Sequence, residues 1–348
     1  MQELYPLKFA PVFKEKIWGG TKIRDILGMD FSPLTNCGEA WILSGYPGQE
    51  TTVINGFLAN NELNELISVY MDELVGDGIY QMFGDEFPLL IKILDSRAWL
   101  SVQVHPDDQL ALQRHNSLGK TEMWYILQAD EDAELIVGFK KKTNRAEFLK
   151  YLKDGKITEL LNFEKTKKGD VYYIPAGRVH ALGPGNLLVE IQQSSDITYR
   201  IYDWDRIDAA GMQRELHIQE ALDAIDYNDY NTYKTPYEIR PNATSPVIQS
   251  PYFVTNIIDL QNSKLKKDFS PLDSFIIYIA VEGDGTINTL NGSVEIKRGE
   301  AVLLPAISTE VIIHTTSRLR LLEVFMLVAP DKDKEESLSR LEQQLGIR

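Results

Sequence analysis

The chain has 348 residues, room for two or more cores at the usual roughly 100–200 residues per domain. Hydrophobic residues make up 43% and charged residues 25%, and the formal net charge is −15. This acidic balance excludes nucleic acid and anionic membrane as natural partners, and any anionic substrate must be met by a local basic pocket.

In chain order, "MQELYPLKFAP" (1–11) carries no apolar run of signal-peptide length, and no later run spans a bilayer. Cys37 stands alone, which excludes an intramolecular disulfide framework and a cysteine-based zinc motif. The cytoplasm is therefore the expected compartment. Apolar residues at three- and four-residue spacing after Asn61 predict a helix over 61–76. A strand follows at "FPLLIKIL" (87–94), then "SVQVHPDD" (101–108), where alternation puts Gln103 and His105 on one face and Val102 and Val104 on the other. Pro106 ends that strand, and Asp107 and Asp108 suit the first turn of a short helix, "PDDQLALQRH" (106–115). Further strands are predicted at 122–129, 133–139, 170–176, 186–193 and 197–204, rich in β-branched and aromatic residues and bounded by Gly, Pro, Asp and Asn. Helical patterns occupy 144–155 and 217–225. The polar stretch 226–246 reads as a linker, after which strands resume to about 328 and a helix is predicted over 331–346. The pattern implies mainly antiparallel β domains, 1–235 with helical insertions and 236–348 without.

The two β regions share a signature. "WYILQADEDAEL" (124–135) and "IYIAVEGDGTI" (277–287) each run from an apolar strand through an acidic turn into a second strand. "GDVYYIPA" (169–176) and "GEAVLLPA" (299–306) share a Gly, five residues, then Pro-Ala. One β unit used twice, with a helical insertion in the first copy, explains both. The first copy continues as Gly169, Pro175, Gly177 and His180, a spacing that resembles the second motif of the cupin superfamily, whose jelly-roll barrel holds a metal in its mouth. In the second copy Ile307 and Glu310 replace Gly177 and His180, and Phe275 falls opposite Glu122. The fold expected is mainly β, with two cupin-like jelly-roll barrels of which only the first keeps a ligand set. Gln103, His105, Glu122 and His180 supply that set: an amide oxygen, two imidazoles and one carboxylate, suited to zinc or another borderline divalent ion.

"FPLLIKILDSRAWLSVQVHPDD" (87–108), "GKTEMWYIL" (119–127), "IPAGRVHAL" (174–182) and "EIQQSSDITYRIYDWDR" (190–206) resemble type I phosphomannose isomerases, as do "IWGG" (17–20) and "GEAWILS" (38–44). The resemblance implies a cytoplasmic aldose–ketose isomerase acting on a sugar phosphate, mannose 6-phosphate to fructose 6-phosphate, with one zinc per chain. It maps the zinc ligands onto Gln103, His105, Glu122 and His180, and further site residues onto Lys120, Glu190 and Arg200. The chemistry suits these residue types, since carbonyl transfer through an enediolate needs a proton acceptor and a positive group facing the developing charge. Glu190 is read either as that base or as a carboxylate orienting Arg200, and Asp196 is a second orienting candidate. Two other classes compete with this reading. A cupin oxygenase would hold a redox iron on two His and one carboxylate, and a sugar-binding cupin would keep the barrel without the full ligand set. Nothing in the sequence sets the oligomeric state.

Overall fold

A computed structural model describes residues 3–207 and 211–328, and the helix predicted over 331–346 lies outside the described residues. The described chain is mainly β and divides into two compact units. One unit comprises Phe13–Ala40 and Leu89–Thr235, and the other Met1–Val12, Trp41–Pro88 and Pro236–Arg348. No described helix is long and apolar enough to cross a membrane.

The first of these units is built on two antiparallel layers. In one, Val171–Ile174, Glu122–Ala129, Asn186–Gln193 and Leu89–Ser96 are successive neighbours. The other runs Tyr199–Tyr202, Val102–Val104, His180–Leu182, Glu134–Phe139 and Leu161–Lys165. Neither order closes on itself. Leu94, Trp124, Ile126 and Leu188 of the first layer meet Leu135, Val137 and Leu182 of the second in one apolar cluster. The opposite face of the second layer carries Val102, Val104, Ile136 and Ala181, which pack with Phe148 of helix Arg145–Lys153 and Ala221 and Leu222 of helix Ile218–Ala224. Strand alternation therefore sends Val102 and Val104 to the helices and turns Gln103 inward. Helix Asp108–His115 begins where the sequence predicts, with Asp107 as its N-cap accepting from Leu110 N at 2.8 Å.

The other unit wraps a single eight-stranded sheet around its own core. Its main path is Ala243–Gln249, Val254–Asp268, Glu310–Phe325, Ile276–Thr289, Ala301–Leu304, Leu7–Ala10 and Thr52–Val53. Three of these strands run 14 to 16 residues and are bent by bulges, so that one ribbon serves both sides of the core. At the bend, Gly283 has φ +72°, and a Cβ there would stand 1.7 Å from Arg318 O, so only glycine fits. Helix Leu63–Val75 belongs to this unit: Val75 O accepts from Phe275 N at 3.2 Å, and Phe87 packs on Phe275 at 4.6 Å. The last four residues of the expected linker, 243–246, open a strand that runs Ala243–Gln249. Its Pro246 is accommodated because the strand is an edge and its register shifts beside the proline.

The two units repeat one cross-strand arrangement. In the first, Glu190 lies between Lys92 and Trp124, which face it from either neighbouring strand. Its counterpart is Glu323, between Asn256 and Tyr278. Trp124 Nε1 donates to Glu190 at 2.8 Å, and Tyr278 OH donates to Glu323 at 2.9 Å. Glu323 is fully buried, and its charge is met by Lys267 at 2.7 Å, with Asn256 Nδ2 donating at 3.1 Å. Lys267→Met would strand Glu323 as an uncompensated buried charge, at a cost of about 3–5 kcal/mol. The expected result is a sharp fall in Tm that the double variant Lys267→Met/Glu323→Gln largely reverses. A single variant melting like the wild type would show that the pair does not hold this core.

Candidate metal centre and substrate cavity

Strand register assembles the predicted ligands. Gln103 is paired directly with His180 on one side and with Arg200 on the other. Glu122 opens its strand opposite Ile174 and Gln192. His105 follows the strand Val102–Val104, and its carbonyl accepts from Gly177 N at 2.9 Å. Gly177 has φ +87°, and a Cβ on it would come within 2.9 Å of Ala224 O, which accounts for the glycine three residues before His180.

Both imidazoles are oriented by backbone. His105 Nδ1 lies 2.8 Å from Ile197 O, and His180 Nδ1 lies 2.8 Å from Arg178 O. With those protons donated to carbonyls, each Nε2 presents a lone pair inward, the arrangement that metal-ligating histidines use. His105 Nε2 is 3.5 Å from Glu122 Oε2, and His180 Nε2 is 3.3 Å from Glu122 Oε1. One ligand atom from each of the three residues falls within 4.8 Å of the others. The Gln103 amide is 3.2 Å from His180 Nε2, and turning it over presents Oε1 to the same point. Lys120 Nζ touches His105 Nε2 at 3.1 Å and bonds Glu122 Oε2.

Burial sets the protonation of this cluster. It drives His105 well below the ordinary histidine value, helped by Lys120 and His180, and takes His180 down to about 4. Both rings are neutral at neutral pH, which is the coordinating form. Burial also raises Glu122 to about 7 against the pull of Lys120. Glu122 Oε1 is buried without any hydrogen-bond partner. Two neutral imidazoles, an amide and an orphaned carboxylate oxygen converging on one point fit a divalent cation.

Above this cluster lies a cavity of about 290 Å³ whose lining includes Gln103, Lys92, Lys120, Glu190, Asp196 and Arg200. The expected site residues Lys120, Glu190 and Arg200 thus share one cavity. Glu190 and Arg200 do not pair as an ion pair: they sit on different layers. Arg200 Nη1 donates to Glu215 O at 2.8 Å, while Glu190 is bound by Trp124 and faces Lys92 at 3.3 Å. Burial alone would raise the Glu190 carboxyl, but Lys120, Lys92 and the Trp124 N–H hold it below its ordinary value. Lys92 is a cavity residue that the sequence reading missed. Its signal was present, as a single charge inside the apolar run "FPLLIKIL". Among the described residues, the only cluster of three or more His, Cys, Asp or Glu able to hold a metal is His105, Glu122 and His180. Phe275 is buried against Phe87, and Glu310 is half-exposed beside Lys266.

Residues 6–141 match the family model for the catalytic domain of type I phosphomannose isomerase, and residues 242–324 match that for the cupin domain of mannose-6-phosphate isomerase. Mannose-6-phosphate isomerase ManA of Bacillus subtilis (strain 168) is 39% identical over 303 residues, 86% of this chain and 93% of its own length. The chain belongs to the type I phosphomannose isomerase family. Another relative, the mannose-6-phosphate isomerase of Streptococcus mutans, is 35% identical over 301 residues, 86% of this chain and 92% of its own. The crystal structure of mannose 6-phosphate isomerase from Bacillus subtilis matches with a TM-score of 0.82 at 35% identity, covering 92% of this chain and 99% of that one. Membership in this isomerase family sets aside the oxygenase and the plain sugar-binding readings.

The candidate cluster predicts a metal affinity that depends on pH. Below about pH 7 Glu122 carries a proton in the metal-free protein, and a divalent cation must displace it. Affinity should fall on the order of tenfold per pH unit below 7 and level off above it, read by titration calorimetry between pH 5.5 and 8.5. An affinity flat across that range would contradict the assignment of Glu122 as a ligand. His180→Ala should release the metal from a protein that still melts cooperatively.

Proposed function

We propose that this family member interconverts mannose 6-phosphate and fructose 6-phosphate on a single zinc ion per chain. The observation that carries the reading is the buried His105–Glu122–His180 cluster opening, through Gln103 and Lys120, into a cavity lined by cations. The nitrogen and oxygen donor set suits zinc, which when bound polarises the sugar carbonyl and offsets negative charge on its oxygen. The remaining work falls to the chain. Arg200 lines the cavity beside Gln103, its register partner, where a guanidinium opposes the charge that grows on the sugar oxygens as the carbon-bound proton leaves. Glu190 is held ionised, the state a proton acceptor requires, and Lys120 is placed to donate to a sugar hydroxyl. We assign catalysis to residues 1–235, the region that supplies every one of these groups. We read 236–348 as a second cupin without a metal, each β unit being a jelly-roll variant. A cytoplasmic setting suits a chain whose one cysteine, Cys37, is buried and unpaired.

A coupled assay for fructose 6-phosphate, run with zinc-loaded and chelated protein, tests the activity directly. Arg200→Ala should lower kcat on the order of 10²–10³-fold with a much smaller change in KM, because Arg200 acts on charge that exists only in the transition state. A variant whose loss lies mainly in KM, or whose kcat is near wild type, would remove Arg200 from that role.

A further inference from the structure

The isomerase reading leaves the substrate phosphate without a partner, and the far wall of the same cavity offers one. Arg200 is beside the metal centre through its register with Gln103. Beyond it, just past the end of the same strand, Asp203 is buried and gathers two guanidiniums. Arg214 donates through Nε at 2.8 Å and through Nη2, so one edge of its plane is clamped on that carboxylate. Arg206 reaches Asp203 as well, but also donates to Trp99 O and Asp203 O, and it does not line the cavity. Arg214 does line it.

Charge points the same way. Lys16, Lys92, Lys120, Arg200 and Arg214 line the cavity against only three carboxylates, Glu39, Glu190 and Asp196. At the Asp203 end that carboxylate holds Arg206 and Arg214, while Arg200 Nη1 donates to Glu215 O. Burial, and then Arg214, depress the Arg200 guanidinium, and Arg200 Nε is buried without an acceptor. A site with unspent guanidinium donors and excess positive charge is built for a dianion, since a planar fork matches phosphate oxygens.

We propose that Arg214 binds the phosphate of the sugar-phosphate substrate and that Asp203 is the positioning residue that presents it. This rests on the isomerase reading. Losing a charge-assisted contact of this kind weakens binding on the order of 10–100-fold. Arg214→Gln should therefore raise KM for mannose 6-phosphate by that factor while kcat stays within a few-fold, and it should weaken competitive inhibition by inorganic phosphate to a similar extent. Arg214→Lys should recover part of both losses, and Asp203→Asn should shift KM in the same direction by less. These constants are measured on the zinc-loaded full chain, beside melting curves. Unchanged KM and unchanged phosphate inhibition in Arg214→Gln would overturn the proposal, as would a loss confined to kcat. If Arg214→Gln does not fold, Arg214→Lys decides: a raised KM with wild-type Tm supports the contact, and wild-type KM and inhibition refute it. Wild-type protein inactive on mannose 6-phosphate would instead overturn the isomerase reading itself.

Discussion

A carboxylate removed from water needs a positive partner, and Glu122 is wholly buried. Much of the unit that holds it can be understood from that constraint. Two rings and an amide surround the carboxylate, all with lone pairs to offer, so the point between them attracts a cation. The Lys120 ammonium touches both His105 and Glu122. The surrounding backbone exists to hold this geometry: carbonyls of Ile197 and Arg178 fix the rings, and Gly177 lets the chain turn between His105 and His180.

The other unit meets a related demand differently. Glu323 occupies the same cross-strand position as Glu190, between partners on both neighbouring strands, yet it is sealed from solvent and answered by Lys267. Among the described residues no histidine stands beside that pair, and the carboxylate's other partners, Asn256 and Tyr278, satisfy it within the core. In the unit that holds Glu122 the equivalent carboxylate, Glu190, faces a cavity, and its partner Lys92 lies on that cavity's wall. The difference between a cavity and a core is thus carried by a few side chains on a strand register that both units share.

Charge on the whole chain and charge in the cavity have opposite signs. A net −15 repels anions at long range, but at physiological ionic strength that repulsion is screened within roughly 8 Å. Inside the cavity, ion-excluding walls leave the five lysines and arginines to act at close quarters. Binding of an anionic sugar therefore depends on local geometry and not on global balance.

Strand placement was legible because it follows from local pattern: residues 122–129 and 186–193 form the strands that alternation and bounding turn residues mark out. The residues that meet in the candidate cluster, His105, Glu122 and His180, also stood out, since they sit inside spaced motifs whose glycines and prolines mark the turns. Other features depended on contacts between segments far apart in the chain. Helix Leu63–Val75 groups with residues beyond 236 because its exposed backbone and apolar face find Phe275 and its neighbours there. Residues 243–246 join a strand because an edge is open for them, although their own composition reads as linker. Glu190 takes Lys92 in place of Arg200 because the register of three strands, invisible in any one of them, decides which charges meet. Sequence by itself determined which residues have the chemistry and the local shape for a metal site. Tertiary structure decided which charges are buried together, because burial and pairing are properties of segments brought side by side and not of any segment alone.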